Sequence, residues 1–274
     1  MKQPSASYKG RLVPQFVCTE FLSERRMIPS GDRIAILASY AADNRITLSL
    51  DELIKQLLEL DYDILLVRAT DDHRPLEWPR ATRDVVAIGK PNIGYDFGSW
   101  AVAMDRFPQL TSRRFVLLVN DSLVGPFSSI GPLVCGFESA ETDVWGLTGT
   151  TQFIPHLQSY FLGFRDGVLA DPAIAKFWTR LPLEASKMAM VERYELGLTR
   201  LLFGEAFSTK AEFEPELVAQ QGQNPTVHGW NRLIELGFPF VKRTIVTDPS
   251  LIFDGNQVSA RVKEIYGVRI EEWL

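Results

Sequence analysis

The chain has 274 residues, 46% of them hydrophobic, which is enough for one large α/β domain or two small ones without covalent staples. With 29 basic against 34 acidic residues the net charge is −5, which argues against a general nucleic-acid binder that must neutralise many phosphates, while local basic spots can still serve a phosphorylated ligand. Cys18 and Cys135 are too few and too far apart for a disulfide framework or a zinc site, so a reducing compartment is the simpler reading.

No apolar run approaches the roughly 20 residues that span a bilayer, and the N-terminal stretch lacks the apolar core of a signal peptide. A soluble, cytoplasmic protein is expected, with peripheral membrane contact left open. Residues 1–32 mix Lys2, Lys9, Arg11, Arg25 and Arg26 with Pro4, Pro14, Pro29 and Gly31 and read as a loose N-terminal arm. Val13, Val17, Phe21 and Leu22 give that arm the means to dock on a core.

Residues 33–40 (RIAILASY) read as the first strand, followed by a polar loop over 41–45 that a phosphate or nucleotide can approach. Over 49–60, Leu50, Leu53, Ile54, Leu57, Leu58 and Leu60 recur at the spacing of an amphipathic helix, and Asp51 and Glu52 favour its dipole. Residues 62–68 and 84–89 are the next strands. Strand, helix, strand at this spacing implies a right-handed parallel crossover and the start of a doubly wound sheet.

The stretch 90–100 reads KPNIGYDFGSW, in which Gly94 and Gly98 permit close backbone approach and a helix follows. If the helix starts near Asp96, its positive end points at the ligand crevice; the alternative is a glycine loop whose Trp100 plugs the core. Residues 113–126 (RRFVLLVNDSLVGP) contain an unbroken apolar run, as a strand buried on both faces requires. Its end, Asn120-Asp121-Ser122, falls where open α/β sheets bind ligands, though the same three residues also suit a plain turn.

Strands follow at 142–148 and 159–164, and helices at 171–180 and 190–203, the first with Pro172 near its start and the second closed by Gly204. Glu192 and Glu195 either favour the dipole of the second helix or send a carboxylate into the crevice. Asn224-Pro225 opens a turn, 230–236 is a short helix, and Lys242-Arg243 precedes a strand-like run. That cation pair suits a diphosphate or simple solvation, and His228 is read as structural rather than as a metal ligand. Residues 255–274 are a polar, partly helical C-terminal tail, and no linker or repeat divides 33–254.

Taken in order, the pieces are more specific than any one alone. They are Asn92-x-Gly94-Tyr95-Asp96-x-Gly98-Ser99-Trp100, Asn120-Asp121-Ser122-x-x-Gly125-Pro126, Trp145-Gly146-Leu147-Thr148, residues 156–161 (HLQSYF), Tyr194-Glu195 and Pro239-Phe240-x-Lys242. Over roughly residues 33–250 the chain resembles the rhamnan synthesis protein F family of bacterial polysaccharide glycosyltransferases.

The resemblance implies a GT-A-like fold, a Rossmann-type, mostly parallel sheet flanked by helices in a single domain. It also implies transfer of a hexose such as rhamnose from a nucleotide-diphosphate sugar to a growing surface glycan or lipid-linked glycan, at the inner face of the plasma membrane. Related enzymes carry Asp-x-Asp at the end of the central strand to bind a divalent metal. Here Asp121 is the single carboxylate, so Mg²⁺ or Mn²⁺ dependence is in question and Lys242 or Arg243 is the alternative source of positive charge.

By the same comparison Ser39, Tyr40, Thr70 and Asp71 would face the base and ribose, and Asn92, Gly94 and Asp96 the nucleoside, with Asn120, Asp121 and Ser122 by the diphosphate. Glu195 would be the catalytic base, with Asp166 as runner-up. Trp145, His156 and Tyr160 would form the acceptor surface. The rival reading is a non-catalytic carbohydrate- or nucleotide-binding module that assists a partner transferase. A dinucleotide oxidoreductase is disfavoured because the turn over 39–44 (SYAADN) contains no glycine.

Overall fold

Alternation along the strands decides how the layers stack. In the computed structural model, which describes residues 12–184 and 186–274, Ile34, Ile36 and Ala38 enter one hydrophobic cluster and Ala35 and Leu37 the other. A strand buried on both faces needs a helical layer on each side. The helices Leu48–Glu59 and Gly131–Ser139 cover one face. Tyr95–Arg106, Pro172–Thr179 and Leu196–Gly204 cover the other.

The described strands are β1 (Glu20–Phe21), β2 (Arg33–Tyr40), β3 (Asp63–Ala69), β4 (Val86–Lys90), β5 (Phe115–Asn120), β6 (Leu123–Val124), β7 (Val144–Thr150), β8 (His156–Leu157), β9 (Phe161–Arg165), β10 (Thr209–Phe213) and β11 (Val241–Lys242). The main sheet is mixed and mostly parallel, in the order β1-β4-β3-β2-β5-β9-β7-β10, with β8 paired to β7. β6 and β11 form a separate antiparallel ribbon. The chain moves outward from β2 through β3 to β4 and then returns to place β5 on the other side of β2. That reversal makes a crevice beyond the tips of β2 and β5, the place where such sheets bind ligands.

The local signals work as physical chemistry requires. Thr47 caps Leu48–Glu59 by accepting from the Leu50 N–H at 3.2 Å, and Asp171 caps Pro172–Thr179 through Ala173. Asp51 is fully buried beneath Arg83, at 2.8 Å, and this pair ties the loop after β3 to the helix Leu48–Glu59. Trp100 does plug the core, donating its indole N–H to the Ile36 carbonyl at 3.1 Å, and it sits within a helix that begins five residues earlier at Tyr95.

Several expectations need correction. The strand over 159–164 is Phe161–Arg165 and runs antiparallel between β5 and β7. The strand-like run after Lys242 is the helix Arg243–Thr247. β10 was not anticipated, because Thr209 and Lys210 are polar and exposed, as suits a strand at the sheet edge. The arm's residues 1–11 lie outside the described residues. The arm is docked at two places: Val13 is fully buried, and β1 pairs with Gly89 and Ile88. The tail is packed as well, with Val258, Val262, Ile270 and Trp273 closing a third cluster around Val124, Trp230 and Val241.

Candidate functional site

The tip of β5 organises the crevice. The Asp121 N–H donates to the Ala38 carbonyl at 3.2 Å, and the Asp121 carboxylate accepts the Tyr40 N–H at 3.0 Å, so it is fixed across the switch point. Asn120 donates from Nδ2 to the Asp96 carboxylate at 2.7 Å. Its own Oδ1 accepts the Ser122 N–H at 3.0 Å. Asp96 reaches this position because the helix Tyr95–Arg106 starts at Gly94, whose φ of 77° lets the chain turn sharply into the first helical turn.

The β6–β11 ribbon brings cations over the same spot by placing Lys242 opposite Leu123. Lys242 Nζ donates to Ser122 Oγ at 2.9 Å and lies 5.2 Å from the centre of the Tyr160 ring, within cation–π range. Arg243 donates from Nε to the Asp121 carbonyl at 2.9 Å and from its backbone N–H to the Ser122 carbonyl at 2.8 Å. Tyr40, Asp96, Asn120, Asp121, Ser122, Lys242 and Arg243 are thus brought together.

Two buried cations were missed. Arg68, at the end of β3, is 1% exposed and bonds Ser39 Oγ and the Arg45 carbonyl, pinning the loop after β2. Lys90, 2% exposed, donates to the carbonyls of Pro91 and Ile93 at 3.0 and 2.8 Å. Their signal was in the sequence: a charge at the end of an apolar strand must find partners if it is buried. Burial pulls the Lys90 ammonium down to about 8, with Asp96 opposing. Burial first, and then the Asp121 carboxylate, push the Asp96 carboxyl up to about 7, with Lys242 and Lys90 pulling the other way.

Beside the crevice, Glu195 ends the π turn Val191–Glu195, an irregularity often found at functional positions. Its Oε1 accepts the Ser159 N–H at 2.9 Å and lies 3.8 Å from His156 Nε2. His156 Nδ1 is 2.7 Å from the Ile154 carbonyl, which can only accept. The Nδ1–H therefore points at Ile154, and Nε2 is left on the side of Glu195. Ser159 precedes Tyr160, the residue under Lys242, so one short segment joins Glu195 to the crevice. Glu195 and His156 line a cavity of about 210 Å³ between the sheet and the helix Leu196–Gly204.

Other expected site residues lie elsewhere. Asp166 follows β9 at the opposite end of the sheet, beside Arg114, because Arg165 pairs with Phe115 where β5 starts. Trp145 is fully buried, its ring packed against Phe137 and Phe161, so it has no face to offer an acceptor. Tyr160 is 3% exposed and its hydroxyl is 2.7 Å from Thr148 Oγ1; it supports Lys242 rather than a sugar. The open side of Gly94 faces Val13, so the docked arm occupies the space assigned to a nucleoside. Ser39 is held by Arg68, and Thr70 is buried with its hydroxyl on the Asp72 N–H, while Asn92 and Asp71 are exposed on loops.

Among the described residues no group of three or more His, Cys, Asp or Glu side chains converges as a metal cage would. Asp121 already accepts the Tyr40 N–H, and the Lys242 ammonium bonds the neighbouring Ser122. The described residues thus offer no all-protein cage, and Asp121 is the carboxylate at the strand tip that a Mg²⁺ or Mn²⁺ ion shared with a substrate diphosphate would use.

The fold and site define an α/β protein with an open sheet and a charged crevice at its switch point. The description of the rhamnan synthesis protein F family matches residues 80–264, and the chain belongs to that family, whose name places it in polysaccharide synthesis. It is similar to the virulence protein VirA of Vibrio anguillarum, with 26% identity over 267 residues covering 86% of this chain and 85% of that one. It also resembles the uncharacterized protein y4gN of Sinorhizobium fredii, 26% identical over 145 residues, which are 50% of this chain and 37% of that protein. No helix among the described residues is long and apolar enough to cross a membrane.

Proposed function

We propose that the protein is a glycosyltransferase with a GT-A-like fold, moving a hexose of the rhamnose type from a nucleotide-diphosphate sugar to a growing bacterial surface polysaccharide. The observation that carries this reading is the convergence of Asp121, Asp96, Lys242 and Arg243 on one crevice beyond β2 and β5. Lys242 and Arg243 hold the diphosphate, with charge-assisted bonds in place of those a metal would supply. The amino end of Tyr95–Arg106 adds positive potential to the same crevice.

Glu195 takes the proton of the attacking acceptor hydroxyl. The acceptor oxygen bonds to the anomeric carbon, the bond from that carbon to the diphosphate oxygen breaks, and the configuration inverts. Lys242 and Arg243 stabilise the negative charge that grows on the leaving diphosphate. Work at the inner face of the plasma membrane on a lipid-linked glycan follows from the same reading.

The test is to incubate the protein with a panel of nucleotide sugars and glycan acceptors, with and without chelator, and to follow nucleoside diphosphate release. Acceptor-dependent release that survives the chelator supports the reading. Nucleotide binding with no transfer to any acceptor would instead leave an assisting, non-catalytic module.

A further inference from the structure

The cavity beside Glu195 differs in character from the crevice that holds Asp121. Its floor is apolar, built by Phe97, Val144, Leu162, Leu198 and Leu202. Its polar lining includes Thr150, Thr151 and Ser159 together with Glu195, Glu214, Glu216, Lys210 and His156. Three carboxylates thus face one ammonium. Burial first, and then the neighbouring Glu216, hold the Glu214 carboxyl above its usual range, with Lys210 opposing.

Within this lining, one atom calls for a ligand. The His156 side chain is 4% exposed, its Nδ1–H is spent on Ile154, and the nearest acidic group to Nε2 is Glu195 at 3.8 Å, beyond hydrogen-bond length. A buried ring nitrogen lining a cavity is satisfied by a hydroxyl, which can donate to it or accept from it. At about 210 Å³ the space falls below the roughly 300 Å³ at which drug-sized sites begin, so it admits one small ring rather than an oligosaccharide.

We propose that this cavity is the acceptor subsite and that it accepts the terminal ring of an uncharged glycan while refusing uronic acids and phosphorylated sugars. The inference rests on the transferase reading and names its acceptor class. One ring hydroxyl pairs with His156 Nε2, the neighbouring one meets Glu195, and the ring's apolar face lies on Leu198 and Leu202. An anionic ring would add a further negative charge to those of Glu195, Glu214 and Glu216.

The experiment uses saturation-transfer NMR on the full chain with methyl glycosides of a neutral hexose, a 6-deoxyhexose and the matching uronic acid. Nucleoside diphosphate binding is measured separately on the same samples. The neutral glycosides are expected to bind more tightly than the uronate by about fivefold or more, the scale of one exposed like-charge contact. His156→Asn is expected to weaken the neutral glycosides about tenfold, the value of one buried hydrogen bond. The double variant Glu214→Gln/Glu216→Gln, at two exposed positions that leave the fold intact, is expected to narrow the discrimination against the uronate.

Equal binding of neutral and anionic glycosides, or a double variant with unchanged discrimination, overturns the proposal while leaving the transferase reading standing if the nucleotide binds. Neutral glycoside binding with no nucleotide binding would keep the subsite and remove the transferase reading.

Discussion

The crevice between β2 and β5 and the cavity under Glu195 are neighbours joined by Ser159 and Tyr160, yet their electrostatics are opposite. In the crevice Arg68, Lys90, Lys242 and Arg243 stand with Asp43, Asp96 and Asp121. Asp96 titrates near neutrality, which leaves the balance there positive. In the cavity three carboxylates face Lys210. On the proposed reading the protein must hold an anionic leaving group in one place and remove a proton in the next, and a shared charge pattern would serve one of these tasks badly. The difference shows how one strand tip can serve both: the cations come from β3, β4 and the β6–β11 ribbon, and the carboxylates from the helical segment and the loop after β10.

The two regions should separate most clearly at Glu195. Glu195→Gln is expected to lower the transfer rate by roughly 10²- to 10⁴-fold, the usual contribution of a general base, while nucleoside diphosphate affinity stays at the wild-type level. Steady-state rates and a binding titration on the same preparation check this. At Lys242 the effect should fall on the other half: Lys242→Ala is expected to weaken nucleoside diphosphate binding by about 10- to 100-fold, the value of a charged hydrogen bond, and glycoside binding in the cavity should not change.

A smaller effect concerns pH. The Asp96 carboxyl rises in the folded protein to about 7, from about 3.9 in an unfolded chain. The protonated form is the one the fold favours, so its contribution is full below about pH 4 and is lost as pH rises through 7. Asp96→Asn keeps an acceptor for Asn120 without the charge. Its Tm should exceed that of the wild type at pH 8 by a few degrees, and the gap should close toward pH 4; parallel Tm curves would contradict the assignment. The smallest effect is expected at Asp166, where Asp166→Ala should leave transfer and binding unchanged because the residue lies at the opposite end of the sheet.

Much of the frame was legible because periodicity is a local property. β2, β3 and β5 emerge within a residue or two of where their apolar runs place them, and Leu48–Glu59 follows its leucines. The direction of β9 was not legible, since FLGF has the same pattern in either orientation and only its place between β5 and β7 decides. The convergence of Asp121 with Lys242, 121 positions later, was expected only through the family likeness. The β6–β11 ribbon that achieves it has two residues in each strand, too short for any periodic signal. Trp145 misled for a general reason: a tryptophan in a sugar-handling protein suggests stacking, yet burial fills its faces with Phe137 and Phe161. Asp166 misled because its role depended on which end of a strand faces the crevice, and that end reverses with the strand.

The most direct measurement is a calorimetric titration of nucleoside diphosphate into the wild type, Lys242→Ala and Glu195→Gln at a fixed, low ionic strength. Saturable binding in the wild type and Glu195→Gln, strongly weakened in Lys242→Ala, is the predicted result. Binding that is indifferent to Lys242, or lost with Glu195, would contradict a diphosphate site at the tip of β5.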